Sequence, residues 1–243
     1  MQAKLSVNIN KIALLRNSRE GNYPDLYKYA RDCEEFGAEG ITVHPRPDER
    51  HIRYHDISIL KGQTKNEFNI EGFPNDKFLK LVLKNKPDQC TLVPDDPTQL
   101  TSDHGWNTIR HRTFLKDVVS TLQDAGIRTS LFLDPDPKML EAAVDIGTDR
   151  IELYTGPYAY YQSVNEEKFQ SEISKHALVA KLAQSAKIGV NAGHDLNLEN
   201  LRIYAESLPN LLEVSIGHAL TVDALYYGLQ NALQMYKRQL IIS

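Results

Sequence analysis

The sequence predicts a (β/α)8 TIM barrel with a few extra helices, on three observations. Eight short runs rich in Val, Ile, Leu and Thr recur along the chain, and segments with helical spacing lie between them. Phrases such as EFGAEGITVH, QDAGIRTSLF and VDIGTDRIEL read as helix end, glycine turn and strand start. The length of 243 residues matches the about 250 typical of this barrel. Strands alternating with helices through right-handed crossovers make a parallel α/β architecture. A doubly wound open sheet competes, but it usually has fewer strands. The chain also lacks GxGxxG after its first run and has no Walker A sequence. Residues 1–243 are therefore expected to form a single catalytic domain.

The strand runs, in order, are Leu5–Ile9, Gly40–His44, Glu67–Glu71, Gln89–Val93, Arg128–Leu133, Arg150–Tyr154, Lys187–Asn191 and Leu212–Ile216. Each suits a strand buried on both faces. The first helix, Tyr23–Phe36, opens on Pro24 and Asp25 and stops at Gly37. Asn75–Lys84 places Phe78, Leu79 and Val82 on one face, and Thr113–Ala125 carries a stripe of Leu115, Val118, Val119 and Leu122. Pro137–Ile146 stops at Gly147, Glu166–Ala186 is the longest helix, Asn197–Ser207 stops before Pro209, and Val222–Leu240 closes the chain.

Composition excludes several function classes. With 28 basic and 32 acidic residues the net charge is −4, so no bulk attraction to nucleic acid or an anionic membrane exists. Any anionic ligand must be met by a local positive cluster. Cys33 and Cys90 are far apart with no zinc-type spacing, which fits a reducing compartment. No apolar run approaches the roughly 20 residues that span a bilayer. Asn8, Asn10 and Lys11 interrupt the N-terminal apolar residues, so no signal-peptide core is expected. A cytoplasmic protein is the expectation.

A TIM barrel builds its active site at the carboxyl ends of its strands. There the sequence puts Asn8 and Asn10, His44 with Arg46, Glu71, Asp134, Glu152, Asn191 to His194, and Gly217 with His218. The amino ends offer nothing comparable. Several titratable groups around one cleft make the default site, so His44, Glu71, Glu152 and His194 are read as functional. Asp134, beside Pro135, is read as a turn or helix-cap residue. The VNAGHD and SIGHAL turns each lead into a helix, where glycine permits close approach and unpaired N–H groups attract an anion. Early in the chain Lys11, Arg16, Arg19, Arg46, Arg50 and Arg53 gather. Some must pair with Asp48, Glu49 or Asp56, so their count overstates the pocket charge; Arg19 and Arg46, expected in loops just past strands 1 and 2, are chosen as the phosphate contacts. The stretch from Pro94 to Trp106 is long enough to be a lid.

Seven ordered segments carry a resemblance: SVNINKIALLRNSRE, GITVHPRPDERHI, NIEG, TLVPDDPTQLTSDHGW, IELYTG, VNAGHDLN and EVSIGHAL. From about Leu5 to the last helix the chain resembles the pyridoxine 5′-phosphate synthase family. The resemblance implies a (β/α)8 barrel assembling as a homo-octamer of dimers. It implies condensation of 1-deoxy-D-xylulose 5-phosphate with 3-amino-2-oxopropyl phosphate to pyridoxine 5′-phosphate, phosphate and water, with neither metal nor organic cofactor. Carried over by position, His44 and Glu71 would accept protons, His194 would donate one, and Glu152 would stabilise a transition state. Asn10, Lys11, Arg46, His51 and Thr101 would hold the xylulose phosphate. Asn8, Arg19, Asp195 and the Gly217–His218 turn would hold the amino-ketone phosphate. The better-known form of the family has Asp-His where this chain has Asn10 and Lys11, and glycines where it has Glu20 and Asp195. Pro45 stiffens the loop after His44 and removes one N–H donor. Two other readings stay open: a metal-dependent isomerase or aldolase using His44, Glu71, Glu152 and His194 as ligands, and a catalytically silent phosphate-binding protein.

Overall fold

The computed structural model describes residues 2–95 and 101–242. Its strands are β1 Lys4–Asn8, β2 Gly40–Val43, β3 Glu67–Gly72, β4 Gln89–Leu92, β5 Arg128–Leu133, β6 Arg150–Leu153, β7 Gly189–Ala192 and β8 Leu211–Ile216. Each pairs in parallel with the next, and β1 pairs with β8, so the sheet closes into an eight-stranded barrel. The predicted fold is the observed one, with strand ends moved by a residue or two.

The helices among the described residues are α1 Asn10–Asn17, α2 Leu26–Glu35, α3 Tyr54–Gln63, α4 Asp76–Asn85, α5 Arg112–Asp124, α6 Pro137–Ile146, α7 Gly156–Val164, α8 Glu166–Ser185, α9 Leu201–Ser207, α10 His218–Tyr227 and α11 Leu229–Gln239. Local chemistry places their ends. Asp25 accepts from the Tyr27 and Lys28 amides and starts α2, Asn75 caps α4, and Asn165 caps α8. The cap of α6 is Asp136, followed by Pro137 at the first turn and left-handed Gly147 at the end. Asp134 does not cap it. The Asp134 carboxylate instead accepts the Gly105 amide at 3.2 Å and pins the chain that returns after β4.

Three helices, α1, α3 and α7, escape the sequence pattern. The predicted helix over 222–240 is two, split at Gly228, whose φ of 79° breaks the run. The predicted helix over 197–207 starts only at Leu201, because Asn197 and Asn200 bond each other's backbone in a turn first. So the VNAGHD turn does not run straight into a helix, whereas the SIGHAL turn does.

Buried apolar side chains such as Leu5, Val7, Ile41, Ile70, Leu131 and Val214 join the helices in one core. The barrel interior is different. Ser6 and Thr42 share a hydrogen bond of 2.7 Å, Asn69 bonds Thr42 and accepts from Thr91, and Asn191 donates to Gln89. These strands are buried on both faces, but the inner face is polar where such barrels usually stack bulky branched residues.

The amino ends of the strands are also richer than expected. Arg128 bonds Gln89 and pairs with Glu67, while Arg150 reaches Asn191 at 3.1 Å and Glu213 at 3.3 Å. In sequence these charges look like solvated strand ends; only barrel closure brings them together. Burial and the neighbouring Glu67 push the Glu213 carboxyl up to about 8. Cys33 and Cys90 are buried free thiols, and no described helix is long and apolar enough to cross a membrane.

Candidate active site

The first half of the site grows from the ends of β1, β2 and β3. Asn8, the last residue of β1, accepts the Asn10 amide through Oδ1 and donates Nδ2 to Glu71 Oε2 at 3.4 Å. Asn10 Oδ1 accepts the His44 amide at 2.9 Å, so its side chain ties α1 to the end of β2. His44 Nδ1 lies 4.0 Å from Glu71 Oε2, and its ring meets His51 edge-on with centroids 6.3 Å apart.

Burial, with the Arg46 and His51 charges behind it, holds the His44 imidazolium well below its usual range. Burial, reinforced by Glu152 and Asp95, lifts the Glu71 carboxyl well above the carboxylate range. Burial thus works against the charged form of both groups, which face each other across the pocket. Glu152, buried on β6, is pushed up to about 7 by burial, while His194 and the Thr91 hydroxyl pull it down. Titratable groups whose environments separate their proton affinities are what serial acid–base chemistry needs.

Arg46 is buried, with Nη2 2.6 Å from Asp95 Oδ2, and the Ser102 hydroxyl bonds the same oxygen at 2.7 Å. His51 accepts the Ile52 amide on Nδ1, which leaves Nε2 as the nitrogen that can meet a ligand. Burial, then the Arg46 and Arg50 charges, lowers it to about 4. Arg16 lies beneath this loop: it forks onto Asp56 with two bonds of 2.9 Å and donates to the His51 carbonyl. Arg16 is thus committed to scaffolding, and Arg50 pairs with Asp48 at 2.7 Å, as the neighbouring acids implied.

The second half sits on the loops after β6 and β7. His194 Nδ1 is 2.7 Å from Asp195 Oδ2, Nε2 is 2.8 Å from Thr101 Oγ1, and the Tyr154 ring stands edge-on with centroids 5.9 Å apart. The Thr155 hydroxyl bonds the Gly193 carbonyl and accepts the Asp195 amide. Asn200 bonds the Asp195 carbonyl, and the Tyr158 hydroxyl bonds that of Asn200. A Cβ on Gly193 would overlap the Ser215 carbonyl oxygen, so the loop follows β8 too closely for a side chain. Gly217 packs against Asn8, where an added Cβ would meet the Asn8 Cβ at 3.0 Å. Exposed His218 begins α10, whose first turn leaves amides without intrahelical partners. Asp103, Tyr154, Tyr160, Tyr161 and Asp195 line an adjoining open cavity of about 520 Å³.

The barrel thus gathers Asn8, Asn10, His44, Arg46, His51 and Glu71 on one side and Thr101, Glu152, His194 and Asp195 on the other, with Gly217 against Asn8. Lys11 is exposed on the first turn of α1. Arg19 is exposed beyond the far end of that helix, which its sequence position after the first strand did not show. Part of the expected lid, residues 96–100, lies outside the described residues. Among those described, no cluster of three His, Cys, Asp or Glu side chains could hold a metal ion. Asp95, Ser102, Thr91 and Thr155 were not anticipated. The signal for Asp95 was present: an acid just past a strand end, in VPDDP.

The family model described as pyridoxal phosphate biosynthesis protein PdxJ matches residues 5–241. A pyridoxine 5′-phosphate synthase from Cytophaga hutchinsonii is 55% identical over 237 residues, covering 98% of each chain. Another so named, from Parabacteroides distasonis, is 56% identical over 233 residues, covering 96% of this chain and 97% of its own. Among solved structures, 3-keto-L-gulonate-6-phosphate decarboxylase from Vibrio cholerae superposes with a TM-score of 0.68 at 8% identity, covering 99% and 98%. Phosphoribosylanthranilate isomerase from Thermotoga maritima gives 0.61 at 11% identity, covering 98% and 97%. At such identities these two show the shared barrel alone.

Proposed function

The chain belongs to the pyridoxal phosphate biosynthesis protein PdxJ family, and from that premise we propose how its site works. The activity is that of a pyridoxine 5′-phosphate synthase, a transferase of vitamin B6 biosynthesis. It condenses 1-deoxy-D-xylulose 5-phosphate with 3-amino-2-oxopropyl phosphate to pyridoxine 5′-phosphate, inorganic phosphate and water. One observation carries the assignment of roles: His44 and Glu71 face each other 4.0 Å apart in one buried pocket that disfavours the charge on each, with Glu152 and His194 across it.

An amine must attack a ketone, water and phosphate must leave, and the ring must lose further protons. Neutral His44 is ready to accept a proton. Glu71, whose burial makes it hold a proton more tightly than an ordinary carboxylate, can give that proton to a departing oxygen and then serve as a base. Positive charge on an imine beside it would favour the carboxylate. Glu152 opposes charge that develops in the ring, and His194 delivers a proton through Nε2. One of the two substrate phosphates leaves with the electron pair of its C–O bond, and the oxygen of a water takes its place on that carbon while the water's proton passes to a base.

Arg46, His51, Thr101, Asn10 and Lys11 hold the xylulose phosphate. For Arg46 this requires the Nη2–Asp95 contact to loosen, since a guanidinium already paired with a carboxylate must re-partner to meet phosphate with its fork. Asn8, Arg19 and the Gly217–His218 turn receive the amino-ketone phosphate, with the start of α10 supplying amides to the anion. The reaction is run in one catalytic domain, residues 1–243, working in the cytoplasm as a homo-oligomer, an octamer by the family resemblance. Leu225, Tyr226 and Tyr227 on α10, all exposed in the single chain, support such an assembly.

The test is turnover of both substrates by the purified protein, with and without excess chelator. Formation of pyridoxine 5′-phosphate in both is expected. Calorimetric binding of both substrates with no product would leave only a phosphate-binding protein, and loss in chelator restored by a divalent ion would move the site residues to metal ligation.

A further inference from the structure

We propose that Asp195 is a positioning residue for His194: its carboxylate fixes which ring nitrogen carries the proton and turns the other towards the reacting substrate. The inference rests on the assignment of His194 as the proton donor and deepens it.

The geometry is specific. A carboxylate accepts hydrogen bonds but, while ionised, cannot donate them. With Asp195 Oδ2 only 2.7 Å from Nδ1, the imidazole must place a hydrogen on Nδ1. Nε2 then has its lone pair free when the ring is neutral, and accepts from the Thr101 hydroxyl at 2.8 Å. When the ring is charged, Nε2 is the position that donates. Proton exchange is thus confined to the nitrogen that faces Thr101, on the segment returning towards the barrel mouth.

The carboxylate is itself aimed. The Asp195 amide is held by Thr155 and its carbonyl by Asn200, whose own carbonyl is held by Tyr158 of α7. Gly193, which cannot carry a side chain against Ser215, fixes the approach of the loop. The start of α7, the cap of α9 and strand β8 thus together fix the backbone from which this side chain projects. Orientation of this kind, with an acceptor dictating the imidazole tautomer, is how partners behind a working histidine act.

The alternative, that Asp195 contacts the amino-ketone phosphate directly, sets a carboxylate against a phosphate, which repel each other. Nor does stability explain the pair. His194 and Asp195 side chains are 27% and 43% exposed, and ion pairs that accessible contribute little to folding.

Nitrogen NMR of imidazole-labelled protein reads the tautomer without needing activity. In the unaltered protein at a pH where His194 is neutral, the Nδ1–H form is expected; in Asp195→Ala the Nε2–H form rises. Steady-state kinetics should show Asp195→Ala lowering kcat by about 10–100-fold, the usual cost of losing such a partner, while both KM values stay nearly unchanged. Asp195→Asn, which keeps an acceptor oxygen, should fall between. The double variant His194→Ala/Asp195→Ala should be no slower than His194→Ala alone, because the two act as a unit. An unaltered tautomer in Asp195→Ala, a rise confined to the KM of the amino-ketone phosphate, or additive losses in the double variant would each overturn the proposal. Undiminished kcat in His194→Ala would instead remove the assignment of His194 as donor, leaving the NMR result to stand by itself.

Discussion

His176 touches no part of the barrel mouth, yet it gives the protein a pH dependence. It is fully buried in α8, with Nδ1 bonded to the Tyr204 hydroxyl at 2.8 Å and no partner at Nε2. Burial, with Lys175 nearby, lowers it from 6.5 to about 3. The folded chain then binds fewer protons there than the unfolded chain does. Stability from this site is present above pH 6.5 and is lost as the pH falls towards 3. His176→Gln should cut the difference in unfolding free energy between pH 7 and pH 5 by about 2 kcal/mol, measured by urea titration at both pH values. An identical acid limb would show that His176 does not titrate on unfolding. Arg46 calls for a gentler change. Arg46→Ala would strand buried Asp95, a loss on the order of 3–5 kcal/mol, and would confound binding with folding. Arg46→Lys keeps the charge and loses the fork, so it should raise the KM for the xylulose phosphate with kcat largely kept. A KM change confined to the amino-ketone phosphate would exchange the two substrate pockets.

At the scale of elements, legibility tracked the strength of local signals. The Pro137–Ile146 and Arg128–Leu133 segments come out with their predicted ends, because proline, left-handed glycine and an apolar run punctuate them. Helix α1 hides because it buries only Ile12, Ala13 and Arg16, which leaves no apolar stripe. That omission also put Arg19 a helix length, about 12 Å, too close to the end of β1. Helix α7 opens on Gly156 and Pro157, which read as a turn. The strand-end rule found His44, Glu71, Glu152 and His194 because topology forces such residues to one rim. It could not find the Arg46–Asp95 pair or the Asp195–His194 bond, which depend on loop paths that no periodicity encodes. Those paths make the glycines testable. Gly193→Ala should cost about 1–3 kcal/mol through overpacking and lower kcat by displacing His194. Gly217→Ala, with ordinary atoms of Asn8 at 3.0 to 3.2 Å, should cost less. Denaturant midpoints and kcat for both variants decide the matter, and an unperturbed Gly193→Ala would mean that the loop yields freely.

For the whole molecule, net charge and surface must be separated from the pocket. The chain carries −4, yet Arg46, Lys11 and the start of α10 lie around its mouth, where the proposed function uses them to meet anions. On the outside, α10 leaves Leu225 76% and Tyr226 79% exposed. If this face joins copies of the chain, Leu225→Asp with Tyr226→Asp should lower the mass seen by light scattering while circular dichroism stays the same; an unaltered mass would place the interface elsewhere. Closure of the barrel has a consequence for how the protein comes into being. Lys4 pairs with Glu213 and Val7 with Ile216, so the first strand made waits for the last one translated. Until then β1 and its growing neighbours expose an unpaired edge, the condition under which nascent sheets aggregate or borrow strands. Because Gly217 packs against Asn8 and His194 lies on a loop packed upon β8, catalytic competence awaits the making of β8. A ribosome-stalled chain ending before β8 is therefore inert however well its earlier helices have formed.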